Sequence, residues 1–258
     1  MRGMIFAAGL GTRLRPLTDT MPKALVPVAG VPMLQRVLCK LRDAGIGEIV
    51  VNVHHFADMI ERFLAENDGF GARIFVSREE PEPLETGGGI RHAAPYLAGD
   101  RFLVHNADIL SDLDLRWFLA QDDPADLATL LLTEAESDRY LLFDERMRLA
   151  GWTNVRTGEV KSPFLPDFDP ARCRRYAFCG IHIVSDAVFG KMASWPDKFS
   201  IIDFYLQQAA AGTVRGVVAR DLHLIDIGSP EKLAEAQRCL GGGAVLQMSA
   251  SADPGRQP

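Results

Sequence analysis

The sequence predicts an α/β fold that is Rossmann-like, with three α/β/α layers around a mixed, mostly parallel central sheet. Three observations support this prediction. Short apolar runs rich in β-branched and aromatic residues alternate with longer segments of helical periodicity. The apolar runs are continuous rather than alternating, as expected of strands covered on both faces. Apolar residues make up 47% and charged residues 24% of the 258-residue chain, which is ordinary globular usage.

The strand-like runs of the first half are short and are separated by helical patterns. They lie at residues 4–7, 48–53, 72–77, 101–106 and 126–133. Residues 31–45 carry apolar side chains on one helical stripe, and residues 56–67 repeat that periodicity. The stripe of the first helix consists of Met33, Leu34, Val37, Leu38 and Leu41. Alternating strands and helices predict parallel pairing through right-handed crossovers.

The pattern becomes mixed after residue 133. Residues 140–152 resemble a hairpin with a charged turn, and further strands are predicted at 176–184, 213–219 and 223–228. Helices are predicted near 186–194, 202–211 and 230–240, and a short one begins near Leu115, where Asp112 and Asp114 fit the N-cap pattern. Residues 1–240 are interpreted as a single domain. The small, polar and Pro/Gly-rich residues 241–258 predict a disordered tail.

Composition excludes several classes of protein. The formal net charge of −6 argues against a nucleic-acid partner, so any anion-binding charge must be local. The four cysteines are scattered and form no C-x-x-C pair, which indicates neither a zinc site nor a disulfide framework. No signal peptide and no membrane-spanning run are found. We therefore expect a cytoplasmic protein without a membrane partner, as a monomer or a small homo-oligomer.

A glycine turn follows the first predicted strand, at Gly9 and Gly11. It differs from the dinucleotide fingerprint G-x-G-x-x-G because Leu14 stands where the third glycine is required. The P-loop pattern G-x-x-x-x-G-K-[ST] does not match the turn either. A Rossmann dehydrogenase is therefore disfavoured, and the turn needs another explanation.

The residue types of this turn suit a phosphate ligand. Gly9 and Gly11 allow close approach of the backbone, whose N–H groups can form an anion-binding nest. Thr12 adds a hydroxyl donor, Arg13 offers a planar fork for phosphate oxygens, and Lys23 offers a mobile point charge. A tight turn with solvated cations is the alternative that the turn by itself leaves open.

Residues 7–30, AAGLGTRLRPLTDTMPKALVPVAG, resemble the signature of the sugar-1-phosphate nucleotidyltransferases, G-x-G-T-R-[LM]-x-P-x-T followed by P-K. The matching positions are Gly9, Gly11, Thr12, Arg13, Leu14, Pro16, Thr18, Pro22 and Lys23. Weaker similarity extends to about residue 235. The resemblance implies a glycosyltransferase-A-like fold and an enzyme that joins a nucleoside triphosphate to a sugar 1-phosphate. It also implies that residues 1–133 mainly bind nucleotide, and that residues 134–240 mainly bind sugar and supply a second metal ligand.

Two such substrates bring several negative charges into one cleft, so cations are required, and Mg²⁺ is the usual one. Mg²⁺ prefers carboxylate, phosphate and water oxygens. Asp108 and Asp226 each follow an apolar strand, and the resemblance implies that they are the metal ligands. Our hypothesis is that Arg13 holds the leaving β- and γ-phosphates and that Lys23, between the sugar phosphate and the α-phosphate, stabilises charge in the transition state. Ala107 departs from the family's usual Gly-Asp.

A second glycine cluster opens a predicted helix, and a helix start presents free N–H groups. The resemblance places this cluster against the nucleobase, with Ala8 and Gly9 on the other side. The residues concerned are Glu85, Thr86, Gly87 and Gly88, and Glu80 and Glu82 are further candidates.

The sugar-binding candidates are weaker. Gly180 matches the family's strand glycine beside the sugar, and Lys161 is offered for the absent Glu-Lys-Pro lysine. Asn52 is a plausible sugar contact. The adjacent His54 and His55 point to opposite sides of an extended chain, so they are not interpreted as a metal pair.

The substrate remains open between two nucleotides. The fragment PLETGGGI and the compact length are most similar to N-acetylmuramate-1-phosphate uridylyltransferases of cell-wall recycling. The overall pattern is also similar to mannose-1-phosphate guanylyltransferases, and a glutamate such as Glu80 or Glu85 would suit guanine. A non-catalytic nucleotide-binding subunit of the same fold is expected to lose some of the four charged site residues, and all four are present.

Overall fold

A computed structural model describes residues 1–241, and its strands and helices alternate along the first half of the chain. The strands are β1 Arg2–Phe6, β2 Pro27–Val28, β3 Val31–Pro32, β4 Glu48–Val53, β5 Arg73–Arg78, β6 Phe102–Asn106, β7 Ile109–Ser111, β8 Ala128–Thr133, β9 Arg139–Phe143, β10 Leu149–Asn154, β11 Glu159–Lys161, β12 Arg174–Val184, β13 Val214–Val218 and β14 Leu224–Asp226. The helices are α1 Met33–Asp43, α2 Ala57–Glu66, α3 Glu85–His92, α4 Ala94–Leu97, α5 Leu115–Leu119, α6 Val188–Met192, α7 Ile201–Ala209 and α8 Pro230–Gly241.

The main sheet has ten strands, in the order β11-β10-β9-β12-β6-β1-β4-β5, with β8 paired to β12 and β13 paired to β8. Pairing is parallel among β6, β1, β4 and β5 and between β8 and β13. β12 is antiparallel to β6, β8 and β9, and β10 is antiparallel to β9 and β11. Within this sheet, β10 and β12 therefore run against the other strands. The predicted α/β fold with a mixed, mostly parallel sheet is confirmed.

The long strand β12 joins the two halves of the sheet. Its first residues pair with β9, and its last residues pair with β6 and β8. A register shift separates Phe178 from His182 where the pairing with β8 is interrupted. Gly180 lies in this interruption with a φ of 69°, a left-handed conformation that glycine adopts without strain.

Helices cover both faces of the sheet. The apolar stripe of α1 packs on one face with residues of α2 and α5, including Leu38, Ile60 and Phe118. The other face is covered by α3, α4, α6 and α7, with Phe204 and Tyr205 fully buried. A smaller core lies beneath α8, where the strand pairs β2–β3 and β7–β14 meet. Leu14 belongs to this smaller core, so α8 and β14 pack beside the first glycine turn.

The predicted cap of α5 is partly corrected. The Asp114 side chain accepts hydrogen bonds from the backbone N–H groups of Arg116 and Trp117, as expected of an N-cap. Asp112 does not cap this helix; its carboxylate accepts from the backbone N–H of His223 and contacts the His223 ring. Asp112 therefore fastens the segment before β14 to β7. The disordered tail was predicted to begin at residue 241. Residues 242–258 lie outside the described residues.

Candidate active site

The site lies where neighbouring parallel strands end. β1, β4, β5 and β6 all finish at one edge of the sheet, which is where α/β folds place their ligands. Two adjoining cavities open there, and a third lies on a neighbouring face of the sheet. The central cavity, of about 490 Å³, is lined by the glycine turn, Lys23 and Asp108. The inner cavity, of about 220 Å³, lies between Ala8–Gly9 and residues 83–86. The outer cavity, of about 630 Å³, lies on the β9–β11 face and reaches Asp226.

The glycine turn forms one wall of the central cavity. Gly11 has a φ of 65°, and its carbonyl accepts a hydrogen bond from the Thr18 hydroxyl at 2.8 Å. A 3-10 turn over Thr12–Leu14 follows and buries Leu14 in the smaller core. Thr12 and Arg13 consequently line the cavity. The structure thus places every predicted residue of this turn at one ligand-accessible surface.

Lys23 lies between the two predicted metal ligands. Its Nζ forms an ion pair with Asp108 Oδ2 and lies 3.8 Å from Asp226 Oδ1. The side chain of Asp108 is 23% exposed and that of Asp226 is 54% exposed, so both carboxylates remain accessible to a ligand. Asp108 and Asp226, distant in the sequence, therefore meet beside the glycine turn.

Strand pairing produces this meeting. β14 pairs antiparallel with β7, and Asp226 lies opposite Ile109. The backbone N–H of Ile227 also donates to the carbonyl of Asp108 at 2.9 Å. Gly228 then allows the Arg13 guanidinium to approach, because a Cβ at Gly228 would lie 2.8 Å from Arg13 Nη2. The segment after β14 therefore bonds to the backbone of Asp108 through Ile227 and leaves room for the Arg13 guanidinium at Gly228.

Neighbouring charges act on the carboxylate of Asp226. Burial and the negative charge of Asp108 raise the pKa of Asp226, whereas Lys23 and Arg13 act to lower it. The donor set consists of hard carboxylate oxygens that face one another, which suits Mg²⁺. Within residues 1–241 no cluster of three or more His, Cys, Asp or Glu side chains surrounds a metal position. The remaining ligands would therefore be phosphate and water oxygens, as is usual for Mg²⁺.

The inner cavity contains most of the predicted base-side residues and one residue predicted elsewhere. Ala8, Gly9, Glu85 and Thr86 line it, as expected. Asn52 was predicted to contact the sugar, but it is 2% exposed and lies in this inner cavity. Its side-chain oxygen accepts from the backbone N–H of Ala7, because β4 runs beside β1. Asn52 therefore belongs to the wall of the inner cavity.

The glycine cluster of α3 also requires a correction. The N–H groups of Gly87 and Gly88, expected to be free, both donate to the carbonyl of Phe199. A Cβ at Gly87 would lie 2.3 Å from the Phe199 ring, and one at Gly88 would lie 2.2 Å from the Asp197 carbonyl. These two glycines are needed because the segment before α7 packs against the helix start. Both glycines therefore pack against protein backbone and side chains.

The outer cavity has a floor made by one sheet face. Arg139 lies opposite Asn154, and Trp152 lies opposite Lys161, so these side chains share that face. Lys161 Nζ contacts Asp203 at 3.2 Å and lies 5.3 Å from the centre of the Trp152 ring. Arg139 also lines the cavity, and its guanidinium forms no ion pair with any residue in the 1–241 range. The cavity therefore offers one cation outside any ion pair of the described residues, in a lining that also holds the carboxylates of Glu159, Asp203 and Asp226.

Gly180 is buried against β6, near residues that line the inner and the outer cavity. A Cβ at this position would lie 2.5 Å from Asn106 Nδ2, and Asn106 lines the inner cavity. Phe178, two residues earlier, lines the outer cavity. Gly180 is therefore in close contact with a wall residue of the inner cavity and is two residues from a wall residue of the outer one.

The comparisons with known proteins agree with this arrangement. A family model described as "Nucleotidyl transferase" matches residues 2–140. The N-acetylmuramate alpha-1-phosphate uridylyltransferase of Caulobacter vibrioides is 34% identical over 240 residues, which cover 91% of this chain and 95% of that protein. The chain belongs to the sugar-1-phosphate nucleotidyltransferase family. It is therefore an enzyme of the nucleotidyltransferase class, as its signature predicted.

Other members of the family differ in their nucleotide. The D-glycero-alpha-D-manno-heptose 1-phosphate guanylyltransferase of Aneurinibacillus thermoaerophilus is 28% identical and aligns over 92% of this chain and 97% of its own length. Among solved structures, HddC from Yersinia pseudotuberculosis complexed with GMP-PN has a TM-score of 0.71 at 25% identity, covering 93% of this chain and 99% of that chain. The sugar-1-phosphate nucleotidyltransferase fold is thus shared by proteins named for different substrates.

Several residues of this nucleotidyltransferase site were not found from the sequence. Glu79, Gly228, Lys198 and Arg139 all line or shape a cavity. Gly228 follows the predicted metal ligand in the D-I-G-S-P block, so its position was available as a signal. Lys198 and Arg139 give no local signal because their distance from the glycine turn depends on the tertiary fold.

No helix within residues 1–241 is long and apolar enough to cross a membrane.

Proposed function

We propose that this enzyme condenses UTP with N-acetylmuramate 1-phosphate to give a UDP-sugar and pyrophosphate. The observation that carries the reaction type is the meeting of Lys23 with Asp108 and Asp226 beside the Arg13 turn. That cluster combines two cations with two carboxylates in one accessible cleft. A triphosphate in the central cavity would place its base in the inner cavity, because Ala8, Gly9, Glu85 and Asp108 line both cavities.

The proposed reaction is an in-line displacement. An oxygen of the sugar 1-phosphate forms a bond to the α-phosphorus while the bond from that phosphorus to the bridging β-oxygen breaks, and pyrophosphate leaves. The nucleophile is already an anion, so no side chain has to remove a proton from it. Catalysis then depends on positioning and on stabilising negative charge.

The roles of the charged residues follow from their places. Arg13, held beside Gly228, is suited to the β- and γ-phosphates that leave. Lys23 is suited to the α-phosphate, since its Nζ lies between the two carboxylates. Asp108 and Asp226 would hold Mg²⁺, which when bound offsets phosphate charge. Lys161, beside Trp152 in the outer cavity, is proposed to contact the sugar phosphate. Gly180 is proposed to shape the sugar side.

Among the residues that line the outer cavity, acidic side chains outnumber basic ones, so support for an acidic sugar comes from Arg139 and not from the charge of the whole cavity. N-acetylmuramate carries a lactyl carboxylate that neutral hexoses lack. Arg139 presents a guanidinium that has no acidic partner within residues 1–241, on the face that also carries Asn154 and Trp152. A bidentate guanidinium–carboxylate contact would distinguish the acidic sugar from neutral ones. The uridylyltransferase relative of Caulobacter vibrioides is consistent with this substrate.

A guanylyl alternative has one specific observation in its favour. Glu85 lines both the inner and the central cavity, and a carboxylate can accept hydrogen bonds from two guanine N–H groups at once. By contrast, Glu80 and Glu82 are engaged by Arg78 and Lys198 respectively. A guanylyltransferase acting on a neutral sugar 1-phosphate would use Glu85 and would leave Arg139 without a role.

A substrate grid tests both assignments. UTP, GTP, dTTP and CTP are each combined with the 1-phosphates of N-acetylmuramate, N-acetylglucosamine, mannose and glucose, with Mg²⁺ present, and released pyrophosphate is measured. We expect the largest kcat/KM for UTP with N-acetylmuramate 1-phosphate. Highest activity with GTP and mannose 1-phosphate would replace the uridylyl assignment by the guanylyl one. Release of no pyrophosphate from any pair, with nucleotide still bound, would indicate a binding-only protein.

A further inference from the structure

A buried carboxylate outside the catalytic cluster ties the two walls of the inner cavity together. Glu79 follows β5 and is 1% exposed, and no cation within the described part of the chain pairs with it. Burying a carboxylate without a cation is unfavourable unless hydrogen bonds satisfy it. Glu79 has two such bonds: Oε1 accepts from Asn52 Nδ2 at 2.6 Å, and Oε2 accepts from the Leu84 N–H at 2.7 Å.

These bonds form one chain along the cavity, in which Glu79 accepts from both sides. The Ala7 N–H donates to Asn52 Oδ1 at 2.8 Å, Asn52 donates to Glu79, and Leu84 donates to Glu79 from the other side. Ala7 leads into the glycine turn, and Leu84 immediately precedes α3, so the chain joins the cavity's two opposite walls. We call the side chains of Asn52 and Glu79 the bridge.

The surroundings hold the bridge in one position. The N–H of Glu79 donates to the Val53 carbonyl at 2.8 Å, and the His54 ring contacts the Glu79 carbonyl at 2.8 Å. A Cβ at Gly89 would lie 2.7 Å from Glu79 Oε1 and 3.1 Å from Asn52 Nδ2. The third glycine of the α3 cluster is therefore required by close packing on the bridge.

We propose that Glu79 and Asn52 are positioning residues that set the width of the nucleobase slot. This inference rests on the proposed function, because it assumes that a nucleobase occupies the inner cavity. The bridge would act on nucleotide binding through the walls, since both partners of each side chain are protein groups. Loss of the bridge would then weaken binding of the base-bearing ligand and spare binding of the phosphate chain alone.

The direction of the hydrogen bonds provides a sharp test. Glu79→Gln replaces one acceptor by an N–H₂ group, which then faces a donor from Asn52 or Leu84. Asn52→Asp places a second buried carboxylate against Glu79. The double variant Asn52→Asp/Glu79→Gln restores all three bonds: the new amide at position 79 donates to the new carboxylate at position 52. Its formal charge also equals that of the unaltered bridge.

Dissociation constants are measured for UTP, for GTP and for inorganic tripolyphosphate, which has no base. We expect each single variant to weaken binding of the preferred nucleotide at least tenfold, and the double variant to return it to within about threefold, while tripolyphosphate changes less than twofold throughout. Failure of the double variant to recover, or equal losses for nucleotide and tripolyphosphate, would overturn the bridge. If the unaltered enzyme binds neither nucleotide, the proposed function fails with it.

A gentler variant covers the case in which the single substitutions do not fold. Gly89→Ala adds one methyl group against the bridge, and Gly190→Ala in α6 adds one where no atom lies within 4 Å. We expect Gly89→Ala to weaken nucleotide binding about fivefold and to leave tripolyphosphate binding unchanged, whereas Gly190→Ala alters neither. Unchanged nucleotide binding in Gly89→Ala would contradict the proposal.

Discussion

The inner and outer cavities are held by different kinds of interaction. The walls of the inner cavity are backbone segments joined by the buried bridge, whose two side chains are 1% and 2% exposed. The outer cavity is lined by long charged side chains on an open sheet face, and its Lys161–Asp203 pair is nearly half exposed. Exposed pairs of this kind contribute little stability and rearrange readily. The inner cavity, proposed for the nucleotide, is thus preorganised, while the outer cavity, proposed for the sugar, is adaptable.

This difference suits a family whose members are named for different sugars. The in-line displacement needs the same arrangement of phosphates whichever sugar is used, so the central cavity tolerates little change. In the proposed function the sugar contacts side chains that project from β9, β10 and β11, and these can be exchanged without disturbing the sheet core. We therefore expect substitutions near the glycine turn to affect turnover, and substitutions in the outer cavity to affect the choice of sugar.

Replacement of Lys23 is expected to have the largest effect. Lys23→Ala removes the cation between Asp108 and Asp226, so charge at the α-phosphate loses a preorganised stabiliser. We expect kcat to fall by about 10²–10³-fold, or about 2.7–4 kcal/mol. The measurement is steady-state pyrophosphate release at saturating substrates. Lys191→Ala, at an exposed lysine of α6, serves as the control and should retain full activity. A kcat within fivefold of the unaltered enzyme would remove Lys23 from the mechanism.

The second-largest expected effect is a loss of stability on replacing Gly180, which packs against Asn106. Gly180→Ala forces a left-handed φ of 69° on a residue with a Cβ and presses that atom to 2.5 Å from Asn106 Nδ2. We expect the free energy of unfolding to fall by about 2–4 kcal/mol, from backbone strain together with overpacking. Denaturant unfolding measures it.

Gly158 gives a matched control for that substitution. It has a φ of 74° with no atom within 4 Å of an added Cβ, so Gly158→Ala introduces the strain without the contact. We expect a loss of about 1 kcal/mol in this variant. Equal losses at both positions would show that the packing against Asn106 is not tight.

The elements and the catalytic cluster were predictable for physical reasons that can be named. The stripe of α1 predicts a helix because one face is apolar at every turn, and the structure has Met33–Asp43. The glycine turn and Lys23 are close in sequence and recognisable by spacing. The role of Asp226 could be predicted only from the family resemblance, because its approach to Asp108 depends on the pairing of β14 with β7.

The rest depends on long-range register. Asn52 was predicted to contact the sugar because nothing near it in sequence shows that Ala7 and Glu79 engage its side chain in the inner cavity. Gly87 and Gly88 looked like a ligand-binding helix start because Phe199, their actual partner, is more than a hundred residues away. Hydrogen-bond partners between separate elements are set by the tertiary fold, so local pattern cannot assign them.

The third prediction tests the outer cavity. Arg139→Gln removes a guanidinium from the outer cavity while keeping a side chain of similar reach. We expect kcat/KM for N-acetylmuramate 1-phosphate to fall about tenfold, or about 1.4 kcal/mol, because a charge-assisted contact is lost. N-acetylglucosamine 1-phosphate lacks the lactyl carboxylate and should change less than twofold. Arg146→Gln, in the exposed β9–β10 turn, is the control. Equal losses for both sugars would mean that Arg139 does not read the carboxylate.

The smallest predicted effect concerns Glu85, in the wall of the inner cavity. Glu85 begins α3 in a left-handed conformation, with a φ of 61°, which is strained for a residue with a side chain. Glu85→Gly should raise the free energy of unfolding by about 0.5–1 kcal/mol, since relief of strain outweighs the entropy that glycine adds to the unfolded chain. Asp221→Gly removes a similar strain, at a φ of 56°, from an exposed turn and should give a comparable gain.

The two glycine variants differ in what they should do to activity. Asp221→Gly is expected to leave both KM values unchanged, whereas Glu85→Gly should raise the nucleotide KM about threefold, because Glu85 lines the inner and central cavities. A tenfold or larger loss confined to GTP would show that the Glu85 carboxylate reads guanine, and would favour the guanylyl alternative. Unchanged stability in Glu85→Gly would show that the left-handed conformation at this position carries no strain to relieve.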